Sequence, residues 1–368
     1  MNIKQALQSS IKQLEQNNNP SAILDAEVLL LEALNRNRKK ESLRNENFVI
    51  PLKKGIQDLS QKMNFKNITS VVHQKLINRR TKKTKNEILF SISTSLQDDN
   101  LKIEKSWLYS HDDYELSKTE SILFNNYINR RIKHEPVAYI TNKKEFFGFE
   151  FFVNENVLIP RPETELLVEN VLEIIGNGKN INKQFNLIDV GTGSGCILIS
   201  ILNELQKKNN IKFINQTIAI DISKKAIEVA SINAKKYNLD ENIKFITGNL
   251  KNNLKQKLFT NSFDYIVTAN LPYIRNCDYD KLSNNVKDFE PQIALTSGRD
   301  GLRDINNLLD SISKIKLQLA QNIYLLIEAD PEQIDLLEKE ENIHFKIKRI
   351  IQDFSGRKRV IVFEKSHS

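Results

Sequence analysis

Cysteine is nearly absent from this chain: Cys196 and Cys277 are its only two. A disulfide framework and a four-thiolate zinc site are therefore both excluded as devices the chain could build alone. Glycine and proline are also sparse, at 11 and 8 residues, which excludes collagen-like and proline-rich architectures. No apolar run approaches the ~20 residues needed to cross a bilayer; strand-like runs such as Ile323 to Ile327 are far shorter. The opening MNIKQALQSSIKQLEQ lacks the basic-then-apolar layout of a secretory signal and carries Glu15, which a transit peptide would avoid. The expectation is a cytoplasmic protein with no membrane partner. The five histidines, His73, His111, His134, His344 and His367, show no metal-ligand spacing, so no metal is expected.

What is present is an ordinary globular composition: 368 residues, 27% charged, 40% hydrophobic and 8% aromatic. That length suffices for about two domains and a sizeable core. The net charge is +8, and its distribution says more than its sum. Residues 36 to 105 hold 17 Lys and Arg against 7 Asp and Glu, which leaves 37 basic and 39 acidic residues for the rest. The basicity belongs to one segment, which includes RNRKK at 36 to 40 and RRTKKTK at 79 to 85. Such runs fit an arm that touches RNA phosphates, and equally a solvated elaboration inserted in an exposed connection.

Asp25 to Leu34 places apolar residues at helical spacing, with Pro20-Ser21 marking the start, and Tyr114 to Ile140 reads as one or two more helices. Residues 1 to 140 are thus expected to form a small helical domain interrupted by an insertion at about 36 to 102. Lys144 to Val153 is aromatic and β-branched around Gly148, the pattern of a β-hairpin, so 141 to 158 is expected to be a hairpin linker. From 159 to 368 short apolar strands alternate with helical segments. Strands are expected at Asn186 to Val190, Thr217 to Ile220, Ile243 to Thr247, Tyr265 to Ala269, Ile323 to Glu328, Phe345 to Ile351 and Arg359 to Phe363. That alternation predicts an α/β fold with a doubly wound, predominantly parallel sheet, in which ligands lie beyond the carboxyl ends of the strands.

The expected strand ends carry chemistry. After the first come Gly191, Thr192, Gly193, Ser194 and Gly195, followed by Cys196 and an apolar helix. Glycines allow a tight turn and close backbone approach to a ligand, but G-x-G-x-G is not the dinucleotide fingerprint, and a purely structural turn fits the loop as well. The second strand ends in Asp221, thirty positions after Gly191, able to accept from both hydroxyls of a ribose or simply to cap the next helix. The third leads to Gly248, Asn249 and Leu250, a place to flank an adenine ring. The fourth ends in Asn270-Leu271-Pro272-Tyr273. An amide or ring amine nitrogen is a poor nucleophile because its lone pair is delocalised. The Asn270 side-chain oxygen and a following backbone carbonyl can hold both N–H groups and localise that pair. Pro272 stiffens the loop, and Tyr273 offers a face for a planar substrate.

The GTGSG loop, Asp221 and NLPY together resemble a class I S-adenosylmethionine-dependent methyltransferase acting on a planar nitrogen. Ile159 to Glu165 (IPRPETE), Phe289 to Leu295 (FEPQIAL) with Gly298, Asp300 and Gly301, and Asp353 to Arg357 (DFSGR) narrow the likeness. Residues 1 to 35 and about 103 to 365 resemble the PrmC/HemK family of peptide chain release factor glutamine methyltransferases. That resemblance implies methylation of the glutamine side-chain amide in the Gly-Gly-Gln motif of class-one release factors, a modification that modulates translation termination. It implies that Gly191, Thr192, Gly193, Ser194, Gly195, Asp221, Asn249, Leu250 and Asn270 bind S-adenosylmethionine, that Asn270, Leu271, Pro272 and Tyr273 bind the glutamine amide, and that Asn270, Pro272 and Tyr273 are catalytic. The N-terminal helical domain would dock the release factor, and Arg161 and Glu163 would shape the pocket or form a structural salt link. Two positions depart from the pattern: Leu271 stands where the family has Pro, and Asn249 where methyltransferases commonly show Asp. NLPY is also the form found in ribosomal RNA adenine dimethyltransferases, which makes methylation of adenine N6 in nucleic acid the alternative. A non-catalytic S-adenosylmethionine-binding protein is a third reading, and the retained Asn270, Pro272 and Tyr273 speak against it.

Overall fold

The computed structural model describes residues 1–45, 103–176, 183–248, 259, 263–316, 321–339 and 344–366. The basic run at 79 to 85, Asn249 and Leu250 all lie outside the described residues. Among the described residues no helix is long and apolar enough to cross a membrane. The chain divides into two compact units, Met1–Lys133 and His134–Ser368.

The first unit is helical: α1 (Ile3–Gln16), α2 (Ala22–Asn45), α3 (Lys105–Ser110) and α4 (Lys118–Ile132). Both α1 and α4 begin with a reciprocal cap, Asn2 with Gln5 and Ser117 with Glu120, in which each side chain takes an amide that would otherwise have no partner. Helix α2 buries Ala26, Leu29, Leu30, Ala33 and Leu34 at the expected helical spacing. It also runs on to Asn45, so the first ten residues of the expected insertion continue a helix instead of leaving it. Buried Asn37 explains part of that continuation, since its Nδ2 donates to Glu120 on α4 at 3.3 Å. At Ile103 the backbone N–H and C=O are both bonded by the Asn35 side chain.

The second unit opens with α5 (Val137–Thr141) and a hairpin of β1 (Lys143–Phe146) and β2 (Phe149–Phe152). The turn residues Phe147 and Gly148 both have positive φ, as a two-residue hairpin turn of this hand requires. The unit boundary therefore falls at Lys133, before the expected 140. The reason is Tyr139 of α5, which packs with Val153, Val157 and Ile159 and donates its hydroxyl to the Val157 carbonyl at 2.6 Å.

Then come α6 (Glu165–Gly176), β3 (Phe185–Val190), α7 (Cys196–Lys207), β4 (Ile214–Asp221), α8 (Lys224–Lys236), β5 (Lys244–Thr247), β6 (Asp264–Asn270), α9 (Arg303–Ser313), β7 (Asn322–Glu328), α10 (Pro331–Lys339), β8 (Lys346–Gln352) and β9 (Lys358–Ser366). The sheet order is β5-β4-β3-β6-β7-β9-β8, parallel except that β9 runs antiparallel to both β7 and β8. Every expected strand is present to within a few residues.

Alternation along β3 builds a core on each face of the sheet. Ile188 and Val190 pack with Ile305, Leu308 and Ile312 of α9 and Ile334 of α10. Leu187 faces the other way, toward Leu167 and Val171 of α6 and Ile197, Ile201 and Leu202 of α7. Each such side chain contributes about 1.5–3 kcal/mol on burial. These two layers hold the carboxyl ends of β3, β4 and β6 in fixed positions.

Candidate active site

The order reverses between β3 and β6, where one connection leads to β4 and the other away from it; a crevice forms at such a point. The turn after β3 is strapped to the end of β4, because the amides of Gly191 and Thr192 both donate to the Ile220 carbonyl, at 2.8 and 3.0 Å. All three loop glycines have positive φ. A Cβ on Gly191 would stand 3.0 Å from Leu271 Cδ2, so this position must stay bare for the loop after β6 to approach. Gly195, also expected at the ligand, has a packing task in this loop. It caps α7 and does not line the cavity described below, and a Cβ there would meet Ile199 Cδ1 at 3.0 Å and Ala230 Cβ at 3.2 Å.

Asp221 closes the loop from the side. Its Oδ2 accepts from the Gly193 amide at 2.9 Å and its Oδ1 from the Ser223 amide at 2.8 Å. It is not the cap of α8, a role that Ser223 fills by accepting from Ala226 N. Each carboxylate oxygen keeps a lone pair for a further donor. Burial raises the Asp221 pKa, against the pull of the two amides it accepts from.

Loop, carboxylate and NLPY segment open on one cavity of about 360 Å³. Gly191 to Ser194, Asp221, Gly248, Asn270, Leu271 and Pro272 line it. Ile293 of the FEPQIAL segment lines it too, as do residues that carried no signal of their own, among them Asn156, Leu158, Arg303, Asp304 and Asn307. They come from the hairpin exit, the FEPQIAL segment and the first turns of α9, all distant in sequence from the strand ends. Cys196 lines it too, and burial pushes its thiol up to about 12, which keeps it neutral and unreactive.

Asn270 ends β6 with its Nδ2 donating to the Thr164 hydroxyl oxygen at 2.9 Å. Asn270 lines the cavity, and with Nδ2 committed its Oδ1 is the side-chain atom able to accept from a substrate N–H. Tyr273 does not line the cavity. Burial raises the Tyr273 phenol, with the charges of Glu328 and Asp330 acting the same way and those of Arg359 and Arg161 against it. Its backbone is what the fold grips. Gln333 Nε2 donates to the Tyr273 carbonyl at 3.0 Å, and a Cβ on Gly301 would fall 2.2 Å from that same oxygen.

Arg161 and Glu290 explain why IPRPETE and FEPQIAL occur together. The Arg161 Nη2 donates to Glu290 Oε1 at 2.5 Å, and the Ile159 amide donates to Glu290 Oε2 at 3.1 Å, which pins one cavity wall to another. Two carboxyls near the strand ends are buried, and Asp189 Oδ2 and Glu328 Oε2 have no hydrogen-bond partner. Asp189 Oδ1 accepts from Thr268 Oγ1 at 2.7 Å, and burial pushes its pKa up to about 6.

Comparison with known proteins decides what this crevice belongs to. A methyltransferase domain model matches residues 181–351, and a PrmC N-terminal domain model matches residues 96–141. A release factor glutamine methyltransferase of Clostridium acetobutylicum is 36% identical over 283 residues, covering 76% of this chain and 93% of that one. The chain belongs to the release factor glutamine methyltransferase family. Another member, from Thermodesulfovibrio yellowstonii, is 34% identical and covered over 90% of its length. A bifunctional methyltransferase of Rickettsia conorii is also 34% identical, but the chain spans about half of it, 49%. As in its family, this chain uses S-adenosylmethionine.

The residues present fit that donor. The glycine loop leaves a cradle free of side chains, Asp221 holds spare acceptor capacity, and the Thr192 hydroxyl is buried without a partner.

Proposed function

We propose that this protein transfers a methyl group from S-adenosylmethionine to the side-chain amide nitrogen of the glutamine in the Gly-Gly-Gln motif of class-one release factors. The observation that carries the reading is Asn270: it lines the same cavity as the glycine loop and Asp221, with its amide nitrogen committed to Thr164 and its oxygen free. In this reading the N-terminal helical unit docks the release factor.

Gly191 to Ser194 and Asp221 hold the donor, with Asp221 accepting from the ribose hydroxyls. Bound S-adenosylmethionine supplies a methyl group on a sulfonium, so departure of the leaving group needs no help from the protein. What the chain supplies is orientation of a weak nucleophile. The glutamine amide presents two N–H groups in a plane. Asn270 Oδ1 and the Leu271 backbone carbonyl accept them, draw electron density onto nitrogen and turn its lone pair toward the incoming methyl. A C–N bond forms as the C–S bond breaks, and the nitrogen then sheds one proton to water.

The test offers labelled S-adenosylmethionine with a release factor, the same factor with the motif glutamine replaced by alanine, and bulk RNA. Methyl label confined to the Gly-Gly-Gln peptide of the intact factor is the expected result. Label on RNA adenine, or equal label on both factors, overturns the assignment.

A further inference from the structure

We infer that Gln333 is a positioning residue for the transfer: its amide nitrogen fixes the spacing between the loop after β6 and the start of α9, two segments that wall the cavity. The inference rests on the reaction proposed above. Gln333 lies in the first turn of α10, is 5% exposed and does not line the cavity, so it is not placed to touch the substrate. Its Nε2 donates to the Tyr273 carbonyl at 3.0 Å and to the Asp300 carbonyl at 3.3 Å. Its Oε1 accepts from the Asp330 amide at 3.1 Å, which ties off the start of α10. Both amide hydrogens and the amide oxygen are thereby in use.

The two carbonyls belong to segments that reach the cavity. Tyr273 directly follows Asn270, Leu271 and Pro272, all of which line it. Asp300 opens the turn through Gly301 and Leu302 into α9, whose Arg303, Asp304 and Asn307 line it too. Asp300 Oδ1 accepts from the Leu302 amide at 2.9 Å, so a shift of Asp300 carries that turn with it. Gly301 lets the segments meet: its φ is +81°, and a Cβ there would fall 2.2 Å from the Tyr273 oxygen and 2.5 Å from Gln333 Nε2. Asp300 and Gly301, two residues of the family resemblance, thus serve one joint.

The residue type matters. A helix start needs only an acceptor at this position, and glutamate supplies one as well as glutamine does. Glutamate has no pair of N–H groups to give, and when ionised it sets a charge against two carbonyl oxygens. Glutamine serves the helix start and both walls together. In the proposed transfer Asn270 Oδ1 and the Leu271 carbonyl take two N–H groups whose directions are fixed by a flat amide. A small displacement of this loop therefore slows methyl transfer. The bonds that shape the donor loop, from Gly191 and Thr192 to Ile220 and from Gly193 to Asp221, involve none of the residues of the joint. Donor affinity is thereby separable from rate.

The experiment measures glutamine methylation of an intact release factor by the full-length protein, with S-adenosylmethionine affinity and melting temperature alongside. Wild type, Gln333→Met, Gln333→Glu and Asp330→Ala are compared. Gln333→Met keeps the bulk and removes all three bonds, so kcat falls roughly tenfold or more while KM for the factor and affinity for S-adenosylmethionine stay within about threefold. Gln333→Glu keeps the acceptor and supplies at most one donor, so kcat falls roughly threefold or more with a smaller loss of melting temperature than in Gln333→Met. Asp330→Ala removes the bond that Asp330 Oδ1 accepts from the Glu332 amide at 3.2 Å, weakening the same helix start without touching either carbonyl. Its melting temperature falls while kcat holds within about threefold. Wild-type kcat in either Gln333 variant overturns the inference, as does donor affinity that falls in step with kcat. So does a loss of kcat in Asp330→Ala as large as in the Gln333 variants, since the effect would then belong to the helix start. Should Gln333→Met fail to fold, Gln333→Glu set against Asp330→Ala decides alone. Failure of the wild type to label glutamine overturns the proposed function instead, a result read before any variant is made.

Discussion

Replacing Asp221 by asparagine tests the donor half of the site with an expected size attached. The carboxylate already takes the Gly193 and Ser223 amides at 2.9 and 2.8 Å, and its two remaining lone pairs are those assigned to the ribose hydroxyls. Hydrogen bonds to a charged group contribute about 1.5–3 kcal/mol each. Asparagine has one acceptor oxygen, and its NH₂ must face an amide N–H or the ribose. Losing the equivalent of two weak charged bonds is about 3 kcal/mol, or roughly 100-fold in the dissociation constant of S-adenosylmethionine. The misfit against Gly193 or Ser223 lowers the melting temperature by a few degrees, on the order of 1 kcal/mol. Calorimetric titration with S-adenosylmethionine and its 2′-deoxy analogue separates the two effects. Wild type should bind the deoxy compound at least about tenfold more weakly, and Asp221→Asn should scarcely distinguish the two. A variant that melts lower yet binds both ligands like wild type would reduce Asp221 to a loop strap and refute the reasoning.

Asn270→Ala should lower methyl transfer by roughly 100-fold or more while S-adenosylmethionine affinity holds within a few-fold, because the lost acceptor acts on the glutamine amide; single-turnover assays and titration check this. Gly301→Ala must displace the Tyr273 carbonyl or Gln333, which its Cβ would meet at 2.2 and 2.5 Å, so activity should collapse with donor binding intact. Arg161→Ala strands Glu290, a carboxylate 4% exposed, and should cost about 3 kcal/mol in urea denaturation, less if water reaches the gap. Asp189 has its pKa raised from 3.8 to about 6, so the folded state holds a proton that the unfolded chain has released. That cost grows as pH rises from 3.8 to about 6 and is complete above it, so Asp189→Asn should gain up to about 3 kcal/mol at pH 8 and little near pH 4. Denaturant midpoints of both proteins at the two pH values give the comparison.

Periodicity makes the sheet and several helices legible in the sequence, because β6 and β7 are apolar runs between turn residues and β3 interrupts its own only with Asn186 and Asp189. The site was legible only where its residues directly follow those strands. Gly191 to Ser194, Asp221 and Asn270 follow from position alone, since a parallel sheet delivers its strand ends to one edge. Arg303, Asp304 and Asn307 carried no signal, because a helix brings its first turn to the cavity by packing, and its sequence reads as an ordinary amphipathic segment. An aromatic after Pro reads as a stacking face, and nothing in the sequence marks Tyr273 as the residue whose backbone carbonyl Gln333 grips. The helical continuation to Asn45 was hidden by charge: RNRKK reads as an arm, yet Asn37 within it is buried against Glu120.

Leu271 shows how donor and acceptor loops constrain each other. Proline at this position, the usual choice of the family, would hold the loop by fixing φ, and losing it suggests a slacker substrate site. The structure supplies another restraint. Leu271 is 5% exposed and belongs to the same core cluster as Val190, Ala269 and Leu302, so packing holds the loop where ring geometry does not. Its Cδ2 reaches to within 3.0 Å of where a Gly191 side chain would begin. The glycine that lets the backbone turn under the donor is thus also the gap into which the acceptor loop packs. Neither loop can shift without the other, and the distance between a methyl donor and an amide nitrogen is the quantity this chemistry is most sensitive to. On this account the leucine holds the loop after β6 against Gly191 by packing, a restraint of a different kind from the fixed φ of a proline.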